Sequence, residues 1–240
     1  MVDRDVLVKP EAKRVFVRRM FDGIAGTYDL LNHVLSLGID IVWRKQTIDK
    51  LQPEANWHIL DLATGTGDLG FESAKRGTHI DVVGVDLSVP MLRKGVEKNP
   101  AKSDTLKFLC GDCEHLPFPN ELFDGLTIGF GIRNVANLEP ALMEMCRVIN
   151  PGGRAAILEF SRPRTPFFRS IYNFYFRSIL PIIGRLISRD PSAYHYLYES
   201  VMRFPEGPEF WRRLENAGIT QVPAFRLTFG IATIYMAHKN

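Results

Sequence analysis

The residue spacing best suited to chemistry in this chain is a glycine pattern that starts at Gly65. Gly65, Gly67 and Gly70 form G-x-G-x-x-G directly after an apolar run that ends at Ala63. Glycine lets the backbone turn sharply and approach a ligand closely, as it does where nucleotides bind at the carboxyl end of a strand. Asp86 follows the glycine pattern by about twenty residues in the chain. At this spacing a carboxylate typically accepts hydrogen bonds from both hydroxyls of a ribose. Together these residues predict a site for a ligand that contains adenosine.

Charge distinguishes between the candidate ligands. Asp61 and Asp68 place carboxylates on both sides of the first glycines, and these would repel the doubly negative pyrophosphate of a dinucleotide. S-adenosylmethionine brings a sulfonium and an ammonium group instead, which carboxylates attract. The glycine pattern with its two acids therefore favours S-adenosylmethionine as the cofactor.

Two later turns complete the predicted cofactor site. Asp112, in Gly111-Asp112-Cys113, is placed to accept a hydrogen bond from the adenine amine; the alternative is that it caps a turn. The turn that starts at Gly129 ends a later apolar run, where the methyl group should emerge, and the alternative for Phe130 is a plain core position. The predicted cofactor contacts are Asp61, Thr64, Gly65, Thr66, Gly67, Asp86, Leu87, Asp112, Cys113 and Gly129.

The order of apolar patterns predicts how these residues are positioned. Short runs rich in β-branched residues predict buried strands, and helical patterns between most of them predict crossovers, so the sheet should be parallel with helices on both faces. The predicted strands are Trp57–Ala63, His79–Val85, Thr105–Cys110, Phe123–Phe130 and Arg154–Phe160. The predicted helices are Leu69–Arg76, Ser88–Lys98 (with Ser88 as N-cap) and Leu138–Ile149.

Different patterns flank this core. Residues 1–51 should form a helical lid, and residues 161–206 a helical insertion after the fifth strand. Two C-terminal strands are separated only by Thr228-Phe229-Gly230, which permits antiparallel pairing and leaves no room for a crossover. The remaining predicted elements are helices at Pro10–Phe21, Ile24–Leu35, Ile41–Leu51 and Pro208–Ala217, and strands at Val222–Leu227 and Ile231–His238. An added antiparallel strand is typical of class I methyltransferases, so we predict one α/β domain, residues 1–240, with a Rossmann-like, seven-stranded, mostly parallel sheet.

Composition excludes several classes of protein. Of 240 residues, 45% are hydrophobic and 24% charged, which indicates one globular domain and argues against a disordered chain. The net charge of +3 is too small to indicate nucleic-acid binding. No apolar stretch approaches the ~18 residues of a spanning helix, and the first residues lack the apolar segment of a signal peptide, so we expect a location inside the cell. Cys110 and Cys113 form a lone C-x-x-C, and we predict no metal site.

Two longer stretches resemble the UbiE/MenG-type C-methyltransferases of ubiquinone and menaquinone biosynthesis. Residues Tyr28 to Trp43 resemble the signature Y-D-x-[ML]-N-x-x-[LIVM]-S-x-x-x-[HD]-x-x-W, and Arg147 to Ser161 resemble R-V-L-K-P-G-G followed by L-E-F-S. Shorter matches are Leu116–Phe118, Phe130–Asn134 and Tyr194–Ser200, so the resemblance covers almost the whole chain.

The resemblance implies methylation of a ring carbon in a polyprenylated hydroquinol, with demethylmenaquinol as the favoured acceptor and the ubiquinone precursor left open. The rivals are another small aromatic acceptor and a non-catalytic S-adenosylmethionine-binding scaffold subunit of a quinone-biosynthesis assembly. RNA is poorly supported, because the arginines lie among apolar residues and not along a polar groove. A homodimer is compatible with the sequence.

The family motifs place candidate roles on individual residues. Arg133 would stabilise an ionised phenol and Asn134 would orient the second oxygen. The candidates for proton removal are Tyr28, Asp29 and His33. The candidate substrate contacts are Asn32, Phe130, Tyr194, His195 and Tyr196. This chain departs from common family residues at Gly129, which replaces a serine, at Asp112, which replaces an asparagine, and at His195, which replaces an arginine.

The insertion has the most one-sided composition in the chain. From Phe160 to Arg189 there is no Asp, Glu or Lys, and arginines alternate with aromatic and aliphatic residues. We expect its apolar residues to line a path for an isoprenoid tail and its arginines to contact anionic lipids, which predicts a cytoplasmic protein held peripherally at the inner face of the membrane. The alternative is an ordinary amphipathic helix pair that covers the sheet.

Overall fold

The computed structural model describes residues 9–99, 105–175, 178 and 192–240. Within these residues, helices and strands alternate through the middle of the chain, as the apolar patterns predict. The helices are α1 (Pro10–Ile24), α2 (Tyr28–Ser36), α3 (Ile39–Leu51), α4 (Asp68–Ala74), α5 (Val89–Lys98), α6 (Leu138–Val148), α7 (Pro166–Phe174), α8 (Ser192–Arg203) and α9 (Pro208–Asn216). The strands are β1 (His58–Leu62), β2 (Asp81–Asp86), β3 (Leu106–Cys110), β4 (Phe123–Gly129), β5 (Ile149–Phe160), β6 (Ile219–Leu227) and β7 (Ala232–Lys239).

The strands form one seven-stranded sheet in the order β3-β2-β1-β4-β5-β7-β6. Strands β1 to β5 pair in parallel, whereas β7 is antiparallel to both β5 and β6. This arrangement confirms the predicted mostly parallel sheet with an antiparallel C-terminal strand. Because the carboxyl ends of parallel strands share one edge, the turns after β1, β2, β3 and β4 lie side by side there.

Helices cover both faces of the sheet, which explains why the central strands are almost continuously apolar. Leu60, Leu126 and Ile157 are fully buried. On one face the core includes Leu142 of α6 and Trp211 of α9. The core of the opposite face includes Trp43 and Leu51 of α3.

Two local features explain where α4 and α5 begin. Ser88 caps α5, because its Oγ accepts a hydrogen bond from Met91 N (3.4 Å), and Pro90 occupies the first turn. Gly67 precedes α4 with φ +86°, and a Cβ there would lie 2.8 Å from Phe108 Cζ. A glycine is therefore required at this position for both conformation and space.

Several predicted boundaries are wrong. Strand β5 begins at Ile149 and not at Arg154, because Ile149 already pairs with Phe123 before the Pro151-Gly152-Gly153 turn. Helix α1 continues to Ile24. Helix α2 starts only at Tyr28, and β6 starts at Ile219, three residues earlier than the apolar pattern indicated.

The N-terminal helices lie over the carboxyl edge of the sheet. Ser88 Oγ donates to Asp22 Oδ1 of α1 (2.6 Å), and Trp43 Nε1 of α3 donates to Thr228 Oγ1 (2.8 Å) before β7. In the insertion, the structure places α7 and α8, while residues 176–177 and 179–191 lie outside the described part. None of the described helices combines the length and apolar character needed to cross a membrane.

The buried position of Leu126 in β4 predicts a large cost for its truncation. Leu126→Ala removes apolar contacts and leaves a cavity, so it should lower the free energy of unfolding by about 2–5 kcal/mol, measured by urea denaturation. The control is Leu122→Ala, because Leu122 is 37% exposed just before the same strand, and it should change stability by less than about 1 kcal/mol. Equal effects of the two substitutions would contradict the core position of β4.

Candidate active site

Two adjacent cavities lie at the carboxyl edge of the sheet. The first, which we call the strand-end cavity, is bounded by the turns after β1 to β4 and includes Ala63, Gly65, Asp86, Leu87, Cys113 and Gly129. The second, the lid cavity, has a volume of about 480 Å³ and includes Leu31, Trp43, Phe160, Tyr172, Leu197 and Ile231. The two cavities share Phe21, Tyr28, Phe130 and Asn134. A group bound in one cavity therefore meets a group bound in the other at this shared wall.

Asp86 stands at the end of β2 with both oxygens directed to backbone donors. Gly65 N–H donates to Oδ2 and Ser88 N–H to Oδ1, each at 2.8 Å. A carboxylate has about four lone-pair sites, so one remains on each oxygen. Burial raises the pKa of this carboxyl, while the backbone hydrogen bonds oppose that shift. The geometry fits a ligand that offers two neighbouring hydroxyl donors.

Asp61 supports the glycine loop and does not line the strand-end cavity. It is 1% exposed and accepts hydrogen bonds from Thr64 Oγ1 (2.6 Å) and Thr127 Oγ1 (2.7 Å). Burial raises its pKa to about 6 despite these bonds. Thr66 and Gly67 are also absent from the cavity wall. Asp61, Thr64, Thr66 and Gly67 contact Thr127 of β4, Gly84 of β2, Asp29 of α2 and Phe108 of β3, respectively, so they support the loop, and their contact with a cofactor stays a prediction.

The turn after β3 provides one more wall of the strand-end cavity. Asp112 Oδ1 accepts from Glu114 N (3.0 Å), so the residue caps its own turn, and its Oδ2 lies 3.0 Å from Arg14 Nε of α1. Arg14 also donates to Glu114 Oε2 (2.8 Å). Burial raises the pKa of Cys113 to about 12, so this thiol stays neutral near pH 7. The cysteine is a packing residue here and not a nucleophile.

Two of the candidate proton acceptors face away from both cavities. Asp29 pairs with Lys98 Nζ (2.9 Å) and accepts from Thr66 Oγ1 (2.6 Å), and His33 Nδ1 lies 3.1 Å from Asp40 Oδ2. The helical period explains this placement: Leu31 and the Tyr28–Asn32 pair face the lid cavity, whereas Asp29 and His33 lie about 100° further round α2. Neither Asp29 nor His33 lines the strand-end or the lid cavity, and their role in proton removal, directly or through water, stays a prediction.

Tyr28 does lie between the two cavities. Its ring meets Phe21 edge-on at 5.9 Å. Burial raises the pKa of its phenol, and a hydrogen bond with Asn32 and the charge of Arg44 only partly oppose the shift. A phenol that stays protonated near pH 7 can donate one hydrogen bond and accept another. The raised pKa makes the protonated phenol the resting form of Tyr28, and its role in proton removal stays a prediction.

Arg133 forms a buried ion pair that sequence inspection missed. Its Nη1 donates to Glu159 Oε1 (2.7 Å) and to the carbonyl of Phe130, and its backbone N–H donates to Glu159 Oε2 (3.3 Å). Glu159 is fully buried at the end of β5, and burial raises its pKa while Arg133 opposes the shift. The available signal was the acidic residue inside the apolar run of β5, because a buried carboxylate needs a charged partner.

Several polar atoms on the wall of the lid cavity have no hydrogen-bond partner among the described residues. These atoms are Arg133 Nε, Asn134 Oδ1 and Tyr196 Oη, and all are buried. Each such group costs about 1–3 kcal/mol when it stays unpaired. Polar groups of a ligand that reach these buried atoms would satisfy them, although most of the cavity wall is aromatic and aliphatic.

A second missed pair places another cation on the same cavity. Arg44 and Asp40 of α3 form a buried ion pair, and Ser36 Oγ donates to Asp40 Oδ1 (2.5 Å). Burial disfavours the charged form of Asp40, but the hydrogen bonds from Ser36 and Arg44 outweigh this and lower its pKa. Both Asp40 and Arg44 line the lid cavity. Their i, i+4 spacing on one helix was the signal in the sequence.

The structure places only some of the predicted substrate contacts on the wall of the lid cavity. Asn32, Phe130 and Tyr196 line the lid cavity. His195 is exposed and does not, because α8 turns Tyr196 and Leu197 inward. The side chain of Tyr194 lies outside the described part of the structure.

Comparison with known proteins adds a family to this geometry. Residues 8–239 match the model of the ubiE/COQ5 methyltransferase family. The chain belongs to this family. It is 44% identical to the ubiquinone/menaquinone biosynthesis C-methyltransferase UbiE of Geotalea daltonii, over 93% of this chain and 96% of the relative. It is also 44% identical to the demethylmenaquinone methyltransferase of Thermus thermophilus, over 92% of this chain and 100% of the relative.

Solved structures of more distant methyltransferases share the fold of this ubiE/COQ5 family member. A possible histamine N-methyltransferase of Thermotoga maritima superposes with a TM-score of 0.68 at 17% identity, over 93% of this chain and 100% of that one. Phosphoethanolamine N-methyltransferase 2 of Haemonchus contortus, solved with S-adenosylmethionine, superposes with a TM-score of 0.61 at 14% identity, over 82% of this chain and 52% of that one. These likenesses concern the fold alone.

The family member is an S-adenosylmethionine-dependent C-methyltransferase of quinone biosynthesis. The strand-end cavity fits this cofactor in three respects. Asp86 offers acceptors for a ribose diol, Gly65 brings the backbone close with φ +58°, and Asp112 and Glu114 add negative charge to the wall. Gly65, Asp86, Leu87, Asp112, Cys113 and Gly129 are the residues that would contact it.

The raised pKa of Asp61 predicts a pH dependence of stability. The folded protein ionises this carboxyl near pH 6 and the unfolded chain near 3.8, so the folded form binds more protons between these values and stability falls as the pH rises. Asp61→Asn cannot ionise, and its free energy of unfolding relative to the wild type should increase by roughly 3 kcal/mol from pH 4 to pH 7. Urea denaturation at several pH values measures this difference. The control Ile59→Val should show the same cost at every pH, and a constant difference for Asp61→Asn would contradict the raised pKa.

Proposed function

We propose that this protein methylates a ring carbon of reduced demethylmenaquinone, with the cofactor in the strand-end cavity and the quinol ring in the lid cavity. The observation that carries the proposal is the shared wall of Tyr28, Phe130 and Asn134. A donor and an acceptor bound on its two sides meet within reach of each other. Holding reactants at near-attack distance can supply ~7–11 kcal/mol of the barrier reduction.

S-adenosylmethionine supplies an electrophilic methyl group, so the chain must hold a nucleophilic carbon in line with it. A ring carbon becomes nucleophilic when a neighbouring phenol ionises. Arg133 is always charged and has a buried, unpaired Nε on the cavity wall, which suits it to a phenolate oxygen. Asn134 would orient the second oxygen, and protonated Tyr28 would donate a hydrogen bond at the shared wall.

The lining of the lid cavity supports an aromatic acceptor with an apolar tail. Phe130 and Phe160 lie 4.5 Å apart between ring centroids, and Trp43 lies 6.0 Å from Phe130, which provides faces for a flat ring. Leu35 and Ile231 add aliphatic surface to the part of the lid cavity that lies outside the shared wall. This surface suits an isoprenoid chain and offers nothing to a polar polymer such as RNA.

Replacement of Arg133 should remove activity without loss of cofactor. Arg133→Gln should lower kcat with reduced demethylmenaquinone by roughly 10²–10³-fold, because one charged donor to the developing oxyanion is lost. Labelled S-adenosylmethionine reports transfer, and calorimetry should still show cofactor binding, with a change in Kd much smaller than the change in kcat. The control Arg212→Gln alters an exposed arginine of α9 and should keep wild-type kcat.

The acceptor is tested in the same assay. Parallel reactions use the ubiquinone precursor, which lacks the second ring of the naphthoquinol. They decide whether that ring matters for binding of the acceptor. Cofactor binding with no transfer to either quinol by the wild type would contradict the proposed reaction and favour a scaffold role.

We further propose peripheral contact with the membrane through an apolar rim formed by Leu37, Phe167, Phe168 and Phe229. Leu37 is 92% exposed although it also lines the lid cavity. Phe168 stacks on Phe229 at 4.1 Å and meets Phe167 at 5.4 Å. An apolar rim at the opening of an apolar cavity lets a lipid tail pass from a bilayer into the cavity without crossing water.

Polar substitutions on this rim should weaken membrane binding. Leu37→Asn combined with Phe229→Ser should lower binding to anionic vesicles at least about tenfold in co-sedimentation, because apolar burial of ~1.5–3 kcal/mol per side chain is lost. Asparagine tolerates the positive φ of residue 37. The control Met143→Ser changes an exposed apolar residue of α6. Vesicle binding equal to that of the wild type would contradict contact through this rim.

A further inference from the structure

A third cavity lies behind the turn that follows β4. This rear cavity has a volume of about 180 Å³, and its wall includes Lys13, Leu138, Ser200, Arg203, Phe204 and Arg213. Arg133 and Tyr196 belong both to its wall and to the wall of the lid cavity. These are the two described residues that line both cavities.

Tyr196 has the properties of a connection between the two cavities. The residue is 1% exposed, and its hydroxyl has no hydrogen-bond partner among the described residues. A hydroxyl accepts one hydrogen bond while it donates another, so it can take a proton from one side and pass its own to the other. Burial raises the pKa of this phenol well above its usual range, so Tyr196 relays protons and does not store charge. Arg133, the other shared residue, keeps its proton under all working conditions.

Lys13 of α1 ends the path on the side of the rear cavity. Its Nζ donates to the carbonyl of Arg133 (2.9 Å). Burial and the charge of Arg133 lower its pKa to about 8, and Glu114 opposes this shift. Of the other charged groups around the rear cavity, Arg203 lies 3.6 Å from Glu199, and Arg213 pairs with Glu139 and Glu209. The described residues that line the rear cavity include no carboxylate.

The proposed reaction must release one proton for each methyl group transferred. The ring carbon forms a bond to the methyl carbon, the sulfur–carbon bond breaks with its electron pair left on sulfur, and the ring recovers its aromaticity when the carbon–hydrogen electron pair returns to it. The net product is one proton. Asp40 is the one carboxylate among the described residues that line the lid cavity, and it is held by Ser36 and Arg44 with a lowered pKa. The described residues of this wall therefore offer no carboxylate whose pKa favours uptake of this proton.

We propose that the rear cavity is the proton exit of the methyl transfer, with Tyr196 as the relay and Lys13 as the acceptor that passes the proton to solvent. The inference rests on the proposed function, because it needs a quinol hydroxyl beside Tyr196. It gives a role to a lysine that lines a cavity directly behind Arg133 and donates a hydrogen bond to the carbonyl of that residue. A shift of the Tyr196 ring that exposes its buried hydroxyl to the rear cavity would let water join it to the amine of Lys13.

The test compares two substitutions of Lys13 in the full-length protein. Lys13→Arg keeps the charge and a donor to the carbonyl of Arg133 but cannot accept a proton, whereas Lys13→Met removes both. Single-turnover methyl transfer to reduced demethylmenaquinone is followed from pH 6 to pH 10, together with the cofactor Kd and the quinol KM. In the wild type the rate should rise with pH and level off above about pH 8, because the neutral amine is the active form.

Both variants should lose about tenfold or more in rate at pH 8 and lose this rise with pH, with the Kd and KM unchanged. Imidazole added to the buffer should restore part of the rate. Tyr196→Phe, which keeps the ring packing, should also lower the rate and abolish the rise. The control Lys45→Met, on the exposed side of α3, should behave as the wild type.

A wild-type rate and pH profile in Lys13→Arg would overturn the exit route while the methyl transfer stands. An unchanged rate in Tyr196→Phe would overturn the relay. A wild type that transfers no methyl group to the quinol at any pH would overturn the proposed function and this inference with it.

Discussion

The buried ion pair between Arg133 and Glu159 is the constraint on which the site depends. Glu159 is at the carboxyl end of β5 and Arg133 is in the turn after β4, so parallel pairing of these neighbouring strands brings the two side chains together. Loss of one partner leaves a buried charge, which costs about 3–5 kcal/mol. The pair fixes the turn from Phe130 to Asn134, and that turn contributes to all three cavities.

Backbone strain accumulates where the turns after β1 and β4 meet. Ala63 and Phe130 both have positive φ, at 47° and 56°, which costs of order 1–3 kcal/mol at a residue other than glycine. A Cβ on Gly131 would lie 2.5 Å from the Cβ of Ala63, so a glycine is needed for the turns to approach. The strained residues line the strand-end cavity, and the buried core beneath them holds this geometry in place.

The lid completes the site through polar contacts as well as apolar packing. Arg14, Lys13 and Asp22 of α1 bond to three different turns of the sheet edge. Helix α1 adds Val17 and Phe21 to the wall of the strand-end cavity, which limits the access of water to that side of the site. Charges act more strongly where water is absent, which makes the two arginines of the lid cavity effective there.

The sequence by itself determined the alternation of strands and helices, the antiparallel end of the sheet, the place of Gly65 and Asp86 at the carboxyl edge of the sheet, and the family. These features depend on local patterns of apolar residues, glycines and motif spacing, which survive without knowledge of tertiary contacts. Only the tertiary structure decided that Asp29 and His33 turn away from the cavity, that Glu159 holds Arg133, and that Lys13 lies behind it. Arg133 is far from both Glu159 and Lys13 in the chain, so local patterns do not show that they meet. Asp29 and His33 each follow a cavity-lining residue of α2 by one position, and the packing of the helix against the sheet decides which of the neighbouring side chains enters the site.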